Sequence, residues 1–432
     1  MSSSLFAHWS RKTVAGAIGN TLEWYDYAIY GYFATIIAKQ FFPSGDPTAA
    51  LIATFGVFAA GFLMRPFGGL VIGHIADKLG RKLALTLSVA MMAIPTTLIA
   101  FLPTYEQIGL AAPLLLTFLR LVQGLSVGGE YTGSVTYLVE NGPQDRRGLS
   151  GSFGLVGANA GILLGSAAGA IVTAVVPDTD VGSWGWRVPF LFGLVLGVAG
   201  IYFRSHLEEA EVEWSDPHEG AELDEKGEPE FPIVDAVRHH WRSMLHVVGV
   251  NVLNGVGFYI AFVYLTTFIV DFDDVKEGTA LDINTIVIAF LIVLVPFFGA
   301  LSDRFGRKPV MLAGAAGMIL FSYPLFVLLA SKSFGLILLG QLGFAVLMGC
   351  FTGPLPTTMT EQFPRHVRVT AYSVAFNIPL ALFGGTAPMV VTYLISLSGT
   401  HMAPAFYAMA AAVIAFATLL TMRESKDRPL PR

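Results

Sequence analysis

Residues 73–82 read GHIADKLGRK and residues 299–308 read GALSDRFGRK, with Asp77, Gly80 and Arg81 recurring as Asp303, Gly306 and Arg307. A second pair follows in the same order: Glu140-Asn-Gly-Pro143-Gln-Asp-Arg-Arg147 and Glu361-Gln-Phe-Pro364-Arg-His-Val-Arg368. The two offsets are 226 and 221 residues. One such match is within reach of chance; two in order at near-equal offsets indicate an internal duplication. Each polar match lies between apolar runs of about 20 residues, the length that crosses a bilayer as a helix. Duplicated sets of such runs are the pattern of transporters that rock two bundles about a central site.

Outward from these loops, twelve apolar stretches are found, at 13–38, 50–73, 83–102, 109–139, 149–174, 187–204, 244–270, 281–301, 310–330, 334–360, 369–396 and 402–422. The predicted fold is an all-α membrane protein of two pseudo-symmetric six-helix bundles. Residues 1–204 form the first, 244–432 the second, and 205–243 an acidic linker rich in Pro and Gly. Such a composition cannot bury enough apolar surface to fold alone, so the linker reads as solvated, with a regulatory docking site as the alternative. Hydrophobic residues make up 54% of the 432 and charged residues 13%, about half the usual share of a soluble domain. A soluble enzyme is excluded on that ground, and no constellation of catalytic residues is visible. The net charge of −5 has no basic block, so nucleic acid is not an expected partner. The lone cysteine, Cys350, allows neither a disulfide within one chain nor a zinc cluster. A cleavable signal is not expected, because the first apolar segment is too long and too rich in functional groups.

Lys and Arg set the orientation. With the N-terminus in the cytoplasm, twenty of the 26 fall in cytoplasmic segments, and only Lys39, Lys276 and Lys332 fall in outer ones. Arg65, Arg120 and Arg187 lie within helices or at their edges. Both termini are therefore expected inside, with the chain passing many times through the cytoplasmic (inner) membrane and acting as a monomer.

Ionisable groups inside membrane helices cost roughly 2.5–3.5 kcal/mol each and persist where they face a cavity or a partner. Helix one carries Glu23-Trp24-Tyr25-Asp26, a spacing that puts both carboxylates near one face. Asp26 and Arg120 of helix four both reach mid-depth and form a candidate pair. Glu23, Arg65 and Glu130 share a level closer to the cytoplasm, where Arg65 and Glu130 are expected to form a structural pair. Shifted by 228 residues, Glu23 and Asp26 fall on Asn251 and Asn254, so one half keeps titratable groups where the other keeps neutral ones. Removing an Arg from a carboxylate, or desolvating the acid, raises its pKa; that makes Asp26, Arg120 and Glu23 the proton-coupling candidates, against the simpler reading of a fixed ion pair.

The substrate-side candidates are Trp24, Tyr27, Tyr30, Arg65, Gln123, Glu130, Tyr131, Asn159, Asn251, Asn254, Phe258, Tyr259 and Asn377. Aromatic faces suit a cationic or quaternary ammonium group, and helix packing is the competing reading for any one of them. Asp77, Gly80, Arg81, Glu140, Arg147, Asp303, Gly306, Arg307, Glu361 and Arg368 are candidates for a conformational latch whose charges bond exposed helix ends. His8, His74, His206, His218, His239, His240, His246, His366 and His401 fall mostly in loops or at helix ends; His239-His240 reads as a solvated or interfacial patch, and no metal is expected.

The paired loops, together with Arg120-Leu-Val-Gln123-Gly124, resemble the signatures of the major facilitator superfamily over nearly the whole chain. The resemblance implies a role for Arg120 in proton transfer. Within it, GNTLEWYDY (19–27), FLMRPFGG (62–69), QGLSVGGEYTG (123–133) and WGWRVPF (184–190) resemble the metabolite:proton symporters. GGEYTG, LSDRFGRK, GCFTG, AFNI and MAPAFY (402–407) look closest to its proline/glycine-betaine members. What this implies is a proton-coupled symporter that imports a small carboxylate-bearing metabolite and is driven by the proton gradient without a cofactor. A zwitterionic osmolyte is favoured over a di- or tricarboxylate such as oxoglutarate or citrate. A proton-driven exporter and an uncoupled facilitator are the alternatives of another class. No heptad-patterned tail follows helix twelve, so regulation through a C-terminal coiled coil is not expected.

Overall fold

The computed structural model describes residues 11–43, 45–68, 71, 81–126, 130–205, 232–271 and 275–431. Asp77 and Gly80, the side chains of Arg81 and Glu130, and most of the linker lie outside the described residues.

All twelve predicted helices are present. Helix one runs Arg11–Tyr32 and continues as Ala34–Phe41. Helix two is Pro47–Gly68, helix three Arg81–Phe101, and helix four Ala111–Ser126 with Glu130–Asn141. Helix five is Arg147–Val175 and helix six Arg187–Ser205. The second half holds helix seven, Trp241–Asp271; helix eight, Glu277–Phe305; and helix nine, Arg307–Leu329. Helix ten is Phe334–Thr352 with Leu355–Thr360, helix eleven Arg368–Ser398, and helix twelve Ala403–Thr421. Among the described residues, ten helices are long and apolar enough to cross a membrane. Helix one carries two carboxylates, and the apolar run of helix three is Thr86–Phe101. Within the stretch read as linker, residues Pro232–His239 form a short helix of their own.

The duplication is visible in the packing. Helix one packs on five as seven does on eleven; three packs on six as nine does on twelve; two packs on four as eight does on ten. The halves meet where five lies on eight and two on eleven. The first helix of each half is the most enclosed: Leu22–Ala34 and Val250–Ile269 are buried without interruption. Apolar side chains such as Leu114, Phe118, Val175 and Leu397 point outward. This is the inverse of a soluble protein, and it leaves the polar groups of helices one and seven facing protein.

Local chemistry sets the helix ends. Asp46 Oδ1 accepts the Thr48 N–H at 2.8 Å ahead of Pro47 at the start of helix two. Gly306, at φ +104°, makes the reversal between helices eight and nine, a conformation that side chains disfavour. Helices five and eight touch backbone to backbone: a Cβ on Gly299 would lie 2.8 Å from the Gly148 carbonyl oxygen. Helices seven and eleven each contain one widened turn, at Ile260–Tyr264 and Leu380–Gly384, marked in the latter by Gly385 N–H donating to the Leu380 carbonyl five residues back. Such turns are often found at functional sites. The one on helix eleven brings Gly384 against the Tyr259 ring.

Candidate functional site

Helix one brings the sequence-predicted carboxylates into two separate ion pairs. Arg120 Nη1 lies 2.5 Å from Asp26 Oδ2, and both side chains are 0% exposed. Gln123, three residues along helix four, accepts from Arg120 Nη1 at 2.9 Å and donates to Asp26 Oδ1 at 2.7 Å. Thr96 of helix three completes the group. It accepts from Gln123 Nε2 at 2.9 Å, and its hydroxyl lies 2.7 Å from both Asp26 Oδ1 and the Met92 carbonyl oxygen. Gln123 thus belongs to the Asp26 network. Thr96 was not foreseen: a threonine in an apolar helix ordinarily bonds its own backbone, and nothing in the sequence distinguishes Thr96 from Thr97, which does so.

One turn away, Arg65 Nη2 pairs with Glu23 Oε1 at 2.7 Å. Tyr27 lies between the two pairs. Its ring is 4.7 Å from the Arg65 guanidinium and 4.9 Å from that of Arg120. Phe62 lies at 4.2 Å from Arg65 and Tyr30 at 4.5 Å from Arg120. The Tyr30 hydroxyl donates to the Thr54 carbonyl oxygen, tying helix one to helix two.

This nest meets the second half through aromatic rings. Trp24 stacks on Tyr259 at 6.3 Å and meets Phe258 edge-on at 6.0 Å. Phe62 meets Tyr259 edge-on at 5.3 Å. Trp24 Nε1, the Tyr27 and Tyr259 hydroxyls, Arg65 Nε, and Arg120 Nε and Nη2 are buried without a protein hydrogen-bond partner. Buried polar groups are nearly always bonded, and an unmade bond costs about 1–3 kcal/mol. Such a concentration of unbonded polar atoms lies at the junction of the two bundles.

Other candidates are placed differently. Asn254 donates to Asn251 at 3.0 Å, and Asn251 to the Val247 carbonyl oxygen and the Met359 sulfur. The pair is buried on helix seven. Asn159 is buried on helix five, its Oδ1 without a partner. Tyr131 stacks on Phe376 at 5.0 Å across the halves. Asn377 bonds its own helix at the Ser373 carbonyl oxygen.

The described latch candidates of the second repeat, with Glu140 and Arg147, gather at the face that also carries residues 232–240, the linker face. Asp303 accepts the backbone N–H of Gly148 at 2.8 Å and of Leu149 at 2.9 Å, so one carboxylate of the second half caps helix five of the first. Arg307 holds Asp303 at 2.6 Å. Glu361 Oε1 lies 3.3 Å from Arg147 Nη1 and 3.6 Å from Arg307 Nη2. Burial pushes the Glu361 carboxyl above its ordinary range, against the pull of Arg307, the Ser425 hydroxyl and Arg147. Arg368 pairs with Glu140 across the halves. The C-terminal segment joins in: Arg147 Nη2 donates to the Arg428 carbonyl oxygen at 2.6 Å, Arg368 Nη2 to that of Pro431 at 2.6 Å, and Ser425 to Glu361 at 2.6 Å. These tail partners carry no sequence signal, since most of them are backbone atoms.

The halves also touch at the opposite face. Tyr32 donates to the Phe262 carbonyl oxygen at 3.0 Å, Thr35 to Asp271 at 3.3 Å, and Ser166 to the Leu281 carbonyl oxygen at 3.2 Å. The halves therefore touch above and below the nest.

A family model described as Major Facilitator Superfamily matches residues 16–378 and 274–432. The chain is 36% identical over 424 residues to a proline/betaine transporter of Escherichia coli (strain K12), covering 97% of this chain and 85% of that protein. It is 36% identical over 426 residues to a glycine betaine/proline/ectoine/pipecolic acid transporter of Dickeya dadantii (strain 3937), covering 97% and 84%. Among solved structures, a partially occluded inward-open conformation of an E. coli xylose transporter superposes with a TM-score of 0.75 at 18% identity, covering 97% of this chain and 99% of that one.

Proposed function

The chain belongs to the Major Facilitator Superfamily, and from that premise we propose a proton-coupled symporter that imports a small, net-neutral zwitterion of the proline or betaine kind. That it is a multi-pass membrane transporter rather than an enzyme follows from the family and from its relatives. The observation carrying the finer reading is the nest itself. Among the described residues it holds two guanidinium groups and two carboxylates in two buried pairs, ringed by Trp24, Tyr27, Phe62, Phe258 and Tyr259.

Charge balance then supplies the coupling. Protonating Asp26 leaves Arg120 as an uncompensated buried cation, a loss of about 3–5 kcal/mol when a buried pair is broken. A substrate carboxylate gives Arg120 a new anionic partner, and the remaining positive charge then sits on the substrate's own cationic end. Substrate without the proton sets two carboxylates against one guanidinium. Proton and substrate are therefore favourable together and costly apart. The cationic end of the substrate is received by the ring faces, and Glu23–Arg65 remains a fixed pair beside it. A di- or tricarboxylate brings more negative charge than a nest with both cations already matched can take. The names of the relatives, which include proline and betaine, support the same class.

The Lys/Arg asymmetry supports a cytoplasmic linker face in the inner membrane, with both termini inside. The two bundles, 1–204 and 244–432, tilt about the central nest, and the Asp303 and Arg368 contacts hold the linker face shut. The test is uptake of labelled proline, betaine, citrate and oxoglutarate into proteoliposomes under an imposed inward proton gradient. Accumulation of proline or betaine that a protonophore abolishes is expected. Preference for citrate or oxoglutarate overturns the substrate class. Expulsion indicates an exporter, and uptake that ignores the protonophore a facilitator.

A further inference from the structure

Three histidines converge on one buried aspartate at the linker face, away from the transport nest. Asp235 lies on the short helix Pro232–His239 and is 1% exposed. Its Oδ1 is 2.9 Å from His239 Nδ1, one turn along the same helix. Its Oδ2 is 2.9 Å from His366 Nε2, which comes from the loop between helices ten and eleven, 131 residues away. The His240 ring packs edge-on against that of His366, centroids 6.2 Å apart. One donor atom each from Asp235, His240 and His366 lies within 4.8 Å of the other two.

We propose that Asp235, His240 and His366 form a binding site for a borderline-soft divalent metal ion of the zinc class. The donor set is two imidazoles and one carboxylate. Imidazole nitrogen suits Zn²⁺ and its neighbours, whereas Mg²⁺ and Ca²⁺ take all-oxygen shells. Metal–ligand bonds of about 2.0–2.1 Å in a tetrahedron put neighbouring donors roughly 3.3 Å apart. The Asp235–His366 separation is already close to that. The His240 nitrogen closes the remainder by side-chain rotation, and three protein ligands leave the fourth position to water.

The carboxylate is also oriented as a ligand should be. His239 holds Oδ1 while Oδ2 faces His366, the outer-shell support that such sites use. A metal ion here ties the end of the linker to the loop that leads into helix eleven at Arg368, which pairs with Glu140 of the other half. The site links a linker element to the latch without touching the substrate nest.

The test uses the full-length, tag-free chain, stripped of metal and held in nanodiscs. Zn²⁺ is titrated in competition with a chromophoric chelator, and Co²⁺ is titrated with the visible d–d bands as the readout of tetrahedral coordination. One equivalent per chain is expected. His366→Ala and His240→Ala should each weaken binding about 100-fold, and His239→Ala about tenfold, as outer-shell losses do. His401→Ala, a histidine elsewhere, should bind as the parent does. Retained transport by the variants shows that they fold, and if one fails to fold the other two still decide the matter. Absence of Zn²⁺ binding, or binding unchanged in both His240→Ala and His366→Ala, overturns the proposal and leaves the cluster as a hydrogen-bonded clamp.

Discussion

Replacing Asp303 by asparagine should open the linker face, and the size of the effect follows from which bonds cross between the halves. Asp303 accepts from Gly148 and Leu149 of the first half at 2.8 and 2.9 Å, and from Arg307 of its own half at 2.6 Å. The Arg307 bond stays whichever way the halves tilt, so only the other two enter the open–closed equilibrium. An asparagine keeps one acceptor and turns an amide NH₂ toward the second N–H. One bond to a charged group is lost, about 1.5–3 kcal/mol. The carboxylate at the start of helix five is lost too, about 0.3–1 kcal/mol. The lower ends together give about 2 kcal/mol, or about a 30-fold shift toward the open face.

The assay uses the protein's single cysteine to advantage. In a Cys350→Ser background, Ser152→Cys places a thiol on helix five at a residue that is 0% exposed and 2.8 Å from where a Cβ on Gly299 would stand. It can be labelled only when helices five and eight part. Maleimide labelling in nanodiscs should run about 30-fold faster with Asp303→Asn, in step with the open population. A change under about threefold would refute the reasoning, because the crossing bonds would then contribute nothing to closure.

Three further outcomes are expected. Asp26→Asn should abolish proton-driven accumulation while sparing substrate exchange; a gradient of one pH unit, worth 1.36 kcal/mol per proton and about tenfold accumulation for one proton, should give no concentration ratio in the variant, and normal accumulation would remove Asp26 from the coupling step. Trp24→Ala takes away the ring stacked on Tyr259 and should raise the KM for a quaternary ammonium substrate about 5- to 30-fold, in line with about 1–2 kcal/mol for a desolvated cation–π contact, with less effect on a substrate lacking the cationic end. Glu361 has a folded-state pKa raised by burial, so its contribution to stability is full below the unfolded value and is lost as pH rises through the raised one; the Tm of Glu361→Gln relative to the parent should therefore climb over that window, and a flat difference would mean that the carboxyl is not raised.

The sequence by itself determined the architecture. Twelve apolar runs, two copies of D-x-x-G-R and the Lys/Arg asymmetry are local signals, and a bilayer forces each such run into a helix because no water is there to bond its backbone. The Asp26–Arg120 pair was legible for the same reason: buried charges need partners, and few were available at that depth. Which of several charges would meet was not legible. Glu23 pairs with Arg65 and not with Arg120, which Asp26 takes, and Gln123 and Thr96 close around Asp26, because rotation of helices two, three and four about their axes is fixed by packing between segments far apart in the chain. Asp303 on helix five, the tail carbonyls on Arg147 and Arg368, and His366 on Asp235 are likewise contacts across 60 to 300 residues, which no periodicity encodes. Only the tertiary structure, where side-chain volume and helix crossing choose among equally charged partners, decided them.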